Sequence, residues 1–348
     1  MFLRNAWYVA AWDSEVTAGK FVSRTLLNEP ILLFRNQNGQ ARALLDQCPH
    51  RFAPLHMGQH TGASIRCGYH GLEFDESGRC IRNPHGDGRI PPNAKVRAYP
   101  VVERHSMIWI WMGQPERAVP EQIPDFSFMD REHSEIGQGY LFAKANYLLE
   151  VDNIMDLSHV EFLHPGTLGA PGVSEVDPVT SREGSEIWSR RFISNHILSD
   201  FLYAANQVPS GTPVDRWIEV RWSAPAAMKL HVGVTPTGRS REHGESNDQC
   251  HIFSPETDYT THYWYGIGFP KSLGARAGEL AQLRIEGVRK PFETEDLPMV
   301  EAQQQRIGTR DFWEMKPALL RSDAAAVQVR RMVTRLIEEE AAAARAAE

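Results

Sequence analysis

Two sets of side chains in this chain have the types and spacing to hold metal ions. The first is divided between CPHRF (48–52) and CGYHG (67–71), with sixteen residues between His50 and Cys67. Cys48 and His50 offer one thiolate and one imidazole, and Cys67 and His70 offer the same pair again. Thiolates favour zinc or iron–sulfur clusters, so ligand type alone leaves both open. The second set lies in DNIMDLSHVEFLHP, residues 152–165, where Asp152, Asp156 and His159 are spaced i, i+4, i+7. On a helix they form one polar stripe. His164 does not fit it, because five residues carry it about 140° around a regular helix. If both histidines hold one ion, the helix must be distorted and another segment must complete the site. His164 precedes Pro165, a position biased away from helical geometry. The expectation is a loosening or bulge between the histidines that turns His164 back towards His159.

Each set also has an ordinary reading. Two cysteines and two histidines make a structural zinc site in many proteins, but zinc fingers pair cysteine with cysteine and histidine with histidine. Here each loop is mixed, and the surrounding sequence reads as hairpins. One thiolate and one imidazole per loop suits a cluster with two cysteines on one iron and two histidines on the other, the Rieske arrangement. Acids and histidines on a helix are ordinarily its wet face. Here Val151, Ile154, Met155, Leu157, Val160, Phe162 and Leu163 surround the stripe, so it reads as buried. Buried acids and histidines need partners, and a metal is one.

The elements that must position these residues divide the chain. Through residue 115 it reads as short strands and turns: Asn38-Gly39 and Ser77-Gly78 mark hairpins, and SMIWIWMG is a strand run. The proline-rich stretch 116–128 reads as a linker, followed by a second domain over 129–348. Residues 146–164 read as helical, and strand runs follow, among them RWIEVRW and AMKLHVGVT, with Met228, Leu230, Val232 and Val234 alternating in the latter. From about 274 the chain turns helical to its end. A net charge of −7 without any Lys/Arg-rich run argues against nucleic acid or an anionic membrane as partner. No signal peptide or membrane-spanning run is evident, and four cysteines are too sparse for a disulfide framework. The expectation is a cytoplasmic protein.

Together the paired motifs resemble those of the Rieske non-haem iron oxygenases. NAWYVAAW, CPHRFAPL, YHGLEF, NPHGDG, TPVDRW and HIFSPET are similar to the O-demethylase branch of vanillate and dicamba demethylases, with toluenesulfonate methyl-monooxygenase nearby. The resemblance implies an α+β chain: an N-terminal all-β Rieske [2Fe–2S] domain (1–115) and an α+β helix-grip catalytic domain with an antiparallel sheet and C-terminal helices. It implies that Cys48, His50, Cys67 and His70 hold the cluster, with His159 and His164 on a mononuclear Fe(II). Glu286, Glu293, Glu295 and Asp296 all lie where the third ligand is needed, and TEDLPMVEAQ resembles the ligand segment with Asp296 in place. Asp296 would otherwise be an acid favourable in a helix's first turn.

By the same resemblance Asp156 bridges the two centres, accepting a hydrogen bond from the cluster histidine His70 of the next subunit in a homotrimer. Asn153 stands close to the iron, and Asp152 is left to a structural hydrogen bond. His251 matches a substrate-contacting position, although a core histidine is an equal reading; Leu230 replaces a substrate-binding asparagine, which speaks against dicamba itself. The implied reaction uses O2 and electrons from a separate NAD(P)H-dependent reductase, with or without a ferredoxin. It hydroxylates a methyl or methoxy group of an anionic aromatic substrate, O-demethylation of a methoxyarene acid such as vanillate first and methyl hydroxylation of an aryl sulfonate or carboxylate second. A Rieske centre lies roughly 250 mV above a plant-type ferredoxin, about 6 kcal/mol per electron, which suits an acceptor. The rival from another class is a zinc-binding or electron-carrier protein without catalysis.

Overall fold

The computed structural model describes residues 1–347, in two compact units that divide between Ile123 and Pro124. The division falls in the proline-rich stretch, where the short turns Pro115–Arg117 and Pro120–Gln122 replace strands. Proline lacks the N–H a ladder needs.

The first unit is built from three small antiparallel sheets. Both expected hairpins form: Glu29–Arg35 pairs with Ala41–Leu45 across Gly39, and Glu73–Phe74 with Cys80–Arg82 across Gly78. The ligand loops leave two of these sheets. Residues 48–52 follow the strand Ala41–Leu45, and residues 67–71 join Ile65–Arg66 to Glu73–Phe74. Leu32, Leu44, Leu55, Ile65, Phe74 and Val96 form a buried cluster that includes Cys48 and Cys67. Burial of these side chains anchors both loops at their cysteines.

The second unit is α+β. Its seven-stranded antiparallel sheet comprises β1 (Ser134–Ala143), β2 (Val179–Glu183), β3 (Glu186–His196), β4 (Val214–Ser223), β5 (Ala227–Pro236), β6 (Glu245–Thr257) and β7 (Thr260–Pro270). Their order is β1-β7-β6-β5-β4-β3-β2, so only β1 is placed out of sequence. The helices are α1 (Tyr147–Met155), α2 (Val160–Leu163), α3 (Asp200–Ala205), α4 (Ala275–Pro291), α5 (Leu297–Ile307) and α6 (Ala324–Ala347). α4 lies along β1 and β7, the helix-on-sheet arrangement the resemblance implies. Asn146 caps α1 by accepting from Leu148 N. α6 buries Val329, Met332 and Val333, and its Arg330 clamps α1 through Asp152. No described helix is long and apolar enough to cross a membrane.

Candidate metal centres

The two loops of the first set have the same backbone design. In each, the residue four after the cysteine donates its N–H to the cysteine carbonyl: Phe52 N to Cys48 O at 2.9 Å, and Gly71 N to Cys67 O at 3.0 Å. In each, the cysteine N–H donates to the carbonyl of the residue five ahead, Ala53 at 2.9 Å and Leu72 at 2.8 Å. That closed turn needs a left-handed residue at its fourth step, and Phe52 (φ 59°) and Gly71 (φ 72°) supply it. The second loop also packs backbone to backbone on the short turn Leu55–Met57 that follows the first, for a Cβ on Gly68 would stand 2.7 Å from Met57 O.

This geometry pairs the donors, thiol beside thiol and imidazole against imidazole. The rings of His50 and His70 meet edge to face with centroids 4.5 Å apart. His70 Nδ1 is buried and has no hydrogen-bond partner, an orphaned nitrogen of the kind a metal satisfies. Burial, with the Cys67 thiol beside it, pushes the Cys48 thiol up to about 11. Such a thiol gives up its proton readily only to a metal. His85 donates from Nε2 to the His70 carbonyl at 2.8 Å and fixes that loop from outside.

The second set converges as well, by a different distortion than the sequence suggests. α1 ends at Met155, and Asp156 takes an extended conformation (φ −119°, ψ 93°). A short 3₁₀ turn, Leu157–His159, follows, and α2 then runs only to Leu163, with His164 as its non-helical C-cap (φ −115°, ψ 44°). The main break therefore lies before His159 and a second lies at His164, rather than one bulge between the histidines. The Asp156 side chain causes the first, since its carboxylate accepts from Ser158 N (3.0 Å) and Ser158 Oγ (2.9 Å) and caps a new turn. The stripe of Asp152, Asp156 and His159 is thereby broken up, and Asp152 turns to Arg330.

Among the described residues, His159, His164 and Asp296 are the one group of three whose donor atoms lie within 4.8 Å of one another. His159 Nε2 is 3.4 Å from Asp296 Oδ1, and His164 Nε2 is 3.2 Å from Asp296 Oδ2. Asp296 reaches them from a π-helical turn, Phe292–Asp296, inserted between α4 and α5. Wider turns of this kind recur at functional sites. Each donor is oriented from behind. His159 Nδ1 donates to the Asp156 carbonyl at 2.8 Å, His164 Nδ1 donates to Glu295 at 2.5 Å, and Asn153 Nδ2 donates to Asp296 Oδ1 at 3.0 Å. Burial alone would raise the Asp296 carboxyl, but the two imidazoles reverse that and hold it well below the usual carboxylate range. Burial works against charging His164, yet Asp296 and Glu295 outweigh it and raise its affinity for a proton. A cation of higher charge would take that proton's place. Both the donor set and its supports fit a two-histidine, one-carboxylate metal site.

Beside these donors lies a cavity of about 480 Å³. Alternate residues of four adjacent strands line it, Ile218, Leu230, Val232, Gln249, His251 and Ile267, together with His159, His164 and Asp296. His251 is buried and shares a hydrogen bond from Nδ1 with the Tyr263 hydroxyl at 2.7 Å, while its Nε2 has no partner. Burial pushes its imidazole down to about 3, so it is neutral. Sequence reasoning treated Glu295 as one of four candidate ligands and missed its place behind His164. The signal was the pair of adjacent acids, but periodicity does not reveal a π turn that lets both reach one imidazole.

The family model described as the Rieske [2Fe–2S] domain matches residues 6–100, and that of the vanillate O-demethylase oxygenase C-terminal domain matches residues 143–339. The first match replaces the zinc reading of Cys48, His50, Cys67 and His70. The chain is 38% identical over 349 residues to the iron–sulfur subunit of the toluene-4-sulfonate monooxygenase system of Comamonas testosteroni, covering 98% of each. It is also 38% identical over 346 residues to the oxygenase component of dicamba O-demethylase from Stenotrophomonas maltophilia, covering 98% of this chain and 99% of that one. A crystal structure of dicamba monooxygenase with non-haem iron and dicamba superposes with a TM-score of 0.81 at 37% identity, over 98% of this chain and 99% of that one.

Proposed function

The chain belongs to the Rieske non-haem iron oxygenases, as the oxygenase component of a monooxygenase or demethylase system, and from that premise we propose that it hydroxylates a methyl or methoxy carbon of an aromatic acid. Its cofactors are a [2Fe–2S] cluster and a mononuclear non-haem iron, and its cosubstrate is dioxygen. When bound, the cluster relays single electrons and the iron supplies open coordination positions for dioxygen activation.

The observation that carries the reading is the placement of His159, His164 and Asp296 in the wall of a largely apolar cavity of about 480 Å³. That volume suits one substituted aromatic ring. The apolar strand residues exclude water from it, and neutral His251 offers one polar atom. Cys48, His50, Cys67 and His70 are the residues for the cluster, and His159, His164 and Asp296 those for the iron. Glu295, Asn153 and the Asp156 carbonyl keep the donor atoms turned inward. The Asp156 carboxylate, fixed by Ser158, is held ready to accept a hydrogen bond from an imidazole N–H, here assigned to His70 of a neighbouring subunit in a ring of three.

In the leading reaction a methoxyarene acid such as vanillate is O-demethylated. One oxygen atom enters the methoxy carbon and the other leaves as water, with two electrons and two protons consumed. The hemiacetal then collapses to a phenol and formaldehyde. The second reading is the same insertion on an aryl methyl group of a sulfonate or carboxylate, favoured by the likeness to the toluenesulfonate system. Leu230 in the cavity wall supports a substrate other than dicamba. The electrons come from a separate NAD(P)H-dependent reductase, with or without a ferredoxin; the relatives bear names of components of larger systems. The test is a panel of methoxy- and methyl-substituted benzoates and benzenesulfonates with a surrogate reductase, assayed for formaldehyde and benzylic alcohol. Turnover of neutral but not acidic arenes overturns the proposal.

A further inference from the structure

We propose that the Arg216 guanidinium is the anion anchor of the cavity beside His159, His164 and Asp296, holding the carboxylate or sulfonate of an aromatic substrate through a paired contact. This deepens the proposed function and rests on it for the aromatic-acid class.

Arg216 lies on β4, directly opposite Val234 of β5 and two residues before Ile218, and with both of these it lines the cavity. It is 8% exposed. Among the described residues its guanidinium forms no hydrogen bond and no ion pair, and its Nη1 is buried without a partner. The other two buried arginines are compensated. Arg330 is clamped on Asp152, and Arg191 donates from Nε to the Val176 carbonyl at 2.7 Å with Asp156 3.6 Å from its Nη2. Arg216 instead has Arg191 as its charged neighbour. Burial and that like charge push it down to about 10, so it still carries its proton at neutral pH.

A buried cation without a partner is costly, and proteins retain one where a ligand supplies the missing charge. The acids in the cavity lining do not supply it: Asp296 is committed to the two imidazoles, and Glu286 is exposed and accepts from Gln282. A planar guanidinium offers two parallel N–H donors that match the oxygens of a carboxylate or sulfonate. Anchoring the anion there fixes which ring substituent faces the metal donors. Arg284 also lines the cavity and its Nε is buried without a partner, but its Nη2 donates to Asn206 Oδ1 at 3.3 Å and its charged neighbour is the acid Glu245, where that of Arg216 is another arginine. It therefore provides a control for cavity charge without the paired contact.

The test uses the cluster- and iron-loaded enzyme under anaerobic conditions, titrated calorimetrically with acid and neutral partners of the same shape. The pairs are 4-methoxybenzoate with 4-methoxybenzamide, and toluene-4-sulfonate with toluene-4-sulfonamide, so that carboxylate and sulfonate are read separately. The wild type binds at least one anion more tightly than its amide. Arg216→Met loses roughly 10- to 100-fold in affinity for that anion, the range for a hydrogen-bonded charge, while the amide changes by no more than about 3-fold. Arg284→Gln loses clearly less. Ligand-free Arg216→Met melts at or above the wild type, since an uncompensated charge has been removed; a structural arginine would lower the melting temperature. The anchor is overturned if Arg216→Met keeps the anion preference, if acid and amide weaken alike, if Arg284→Gln loses as much, or if the variant melts well below the wild type. Binding that depends on Arg216 with neither formaldehyde nor alcohol formed leaves the anchor standing and removes the hydroxylation reading. Turnover of acids with an unchanged preference in Arg216→Met does the reverse.

Discussion

Glu295 tests whether the second donor set is held by its outer partners. The perturbation is Glu295→Gln and Glu295→Ala in the cluster-containing protein. His164 is 1% exposed and its Nδ1 donates to Glu295 Oε2 at 2.5 Å, with Thr167 Oγ1 donating to the same oxygen at 3.1 Å. Losing such a partner typically weakens a metal site 10- to 100-fold, about 1.4–2.8 kcal/mol. Glutamine keeps an acceptor oxygen without the charge, so the smaller figure belongs to it. Alanine leaves a buried N–H unsatisfied and takes the larger. The assay is Fe(II) affinity by anaerobic chelator competition, with the visible absorption of the cluster as an internal control.

The pH dependence sharpens the same test. Without metal, Asp296 and Glu295 raise the proton affinity of His164, so proton and metal compete, and affinity climbs until the pH passes that raised value. Removing the Glu295 charge lowers it. The deficit of Glu295→Gln is therefore largest at high pH and shrinks as the pH falls below the wild-type value. Iron affinity within about 2-fold of wild type in Glu295→Ala, or a deficit that does not vary with pH, refutes the reasoning.

Two further outcomes follow from groups near the donors. Asp156→Asn retains cluster and iron, measured by metal content and EPR, but forms less product per electron consumed; full coupling in the metal-replete variant counts against the bridging role. Glu150 is buried beside Asp296 and Glu301, and burial first, then these acids, raises its carboxyl to about 8. Its folded form holds a proton that the unfolded chain has lost, so stability falls as pH rises from about 4.5 to about 8. Metal-depleted Glu150→Gln escapes this, and its melting advantage over the wild type grows across that window; a constant difference refutes it.

The parts of the site that were legible in the sequence are those whose chemistry is local. Cys48, His50, Cys67 and His70 announce themselves because each loop closes through hydrogen bonds within five residues of its cysteine, so spacing and geometry are nearly the same statement. His159 and His164 were legible as a pair, and the distortion they require was legible too. Its location was not, because the cap Asp156 makes on Ser158 competes with the helix in a way that Pro165 does not reveal. Asp296 and Glu295 depend on a π turn between α4 and α5 that no apolar period encodes.

Arg216 differs from all of these. In VDRWIEVRWS strict alternation places Arg216 on the same face as Ile218, Val220 and Trp222, each of which is buried. A lone cation in an otherwise apolar register is legible as soon as that face is known to point inward. What alternation could not supply is the missing partner, because compensation of a buried charge is a property of everything packed around it. Arg191 and Arg330 are as deeply buried as Arg216, and only contacts with distant segments show that they are satisfied and it is not. In this chain the metal motifs therefore speak to the chemistry, and the charged, unpaired inward position on β4 is the place where an acidic ligand would be told from a neutral one.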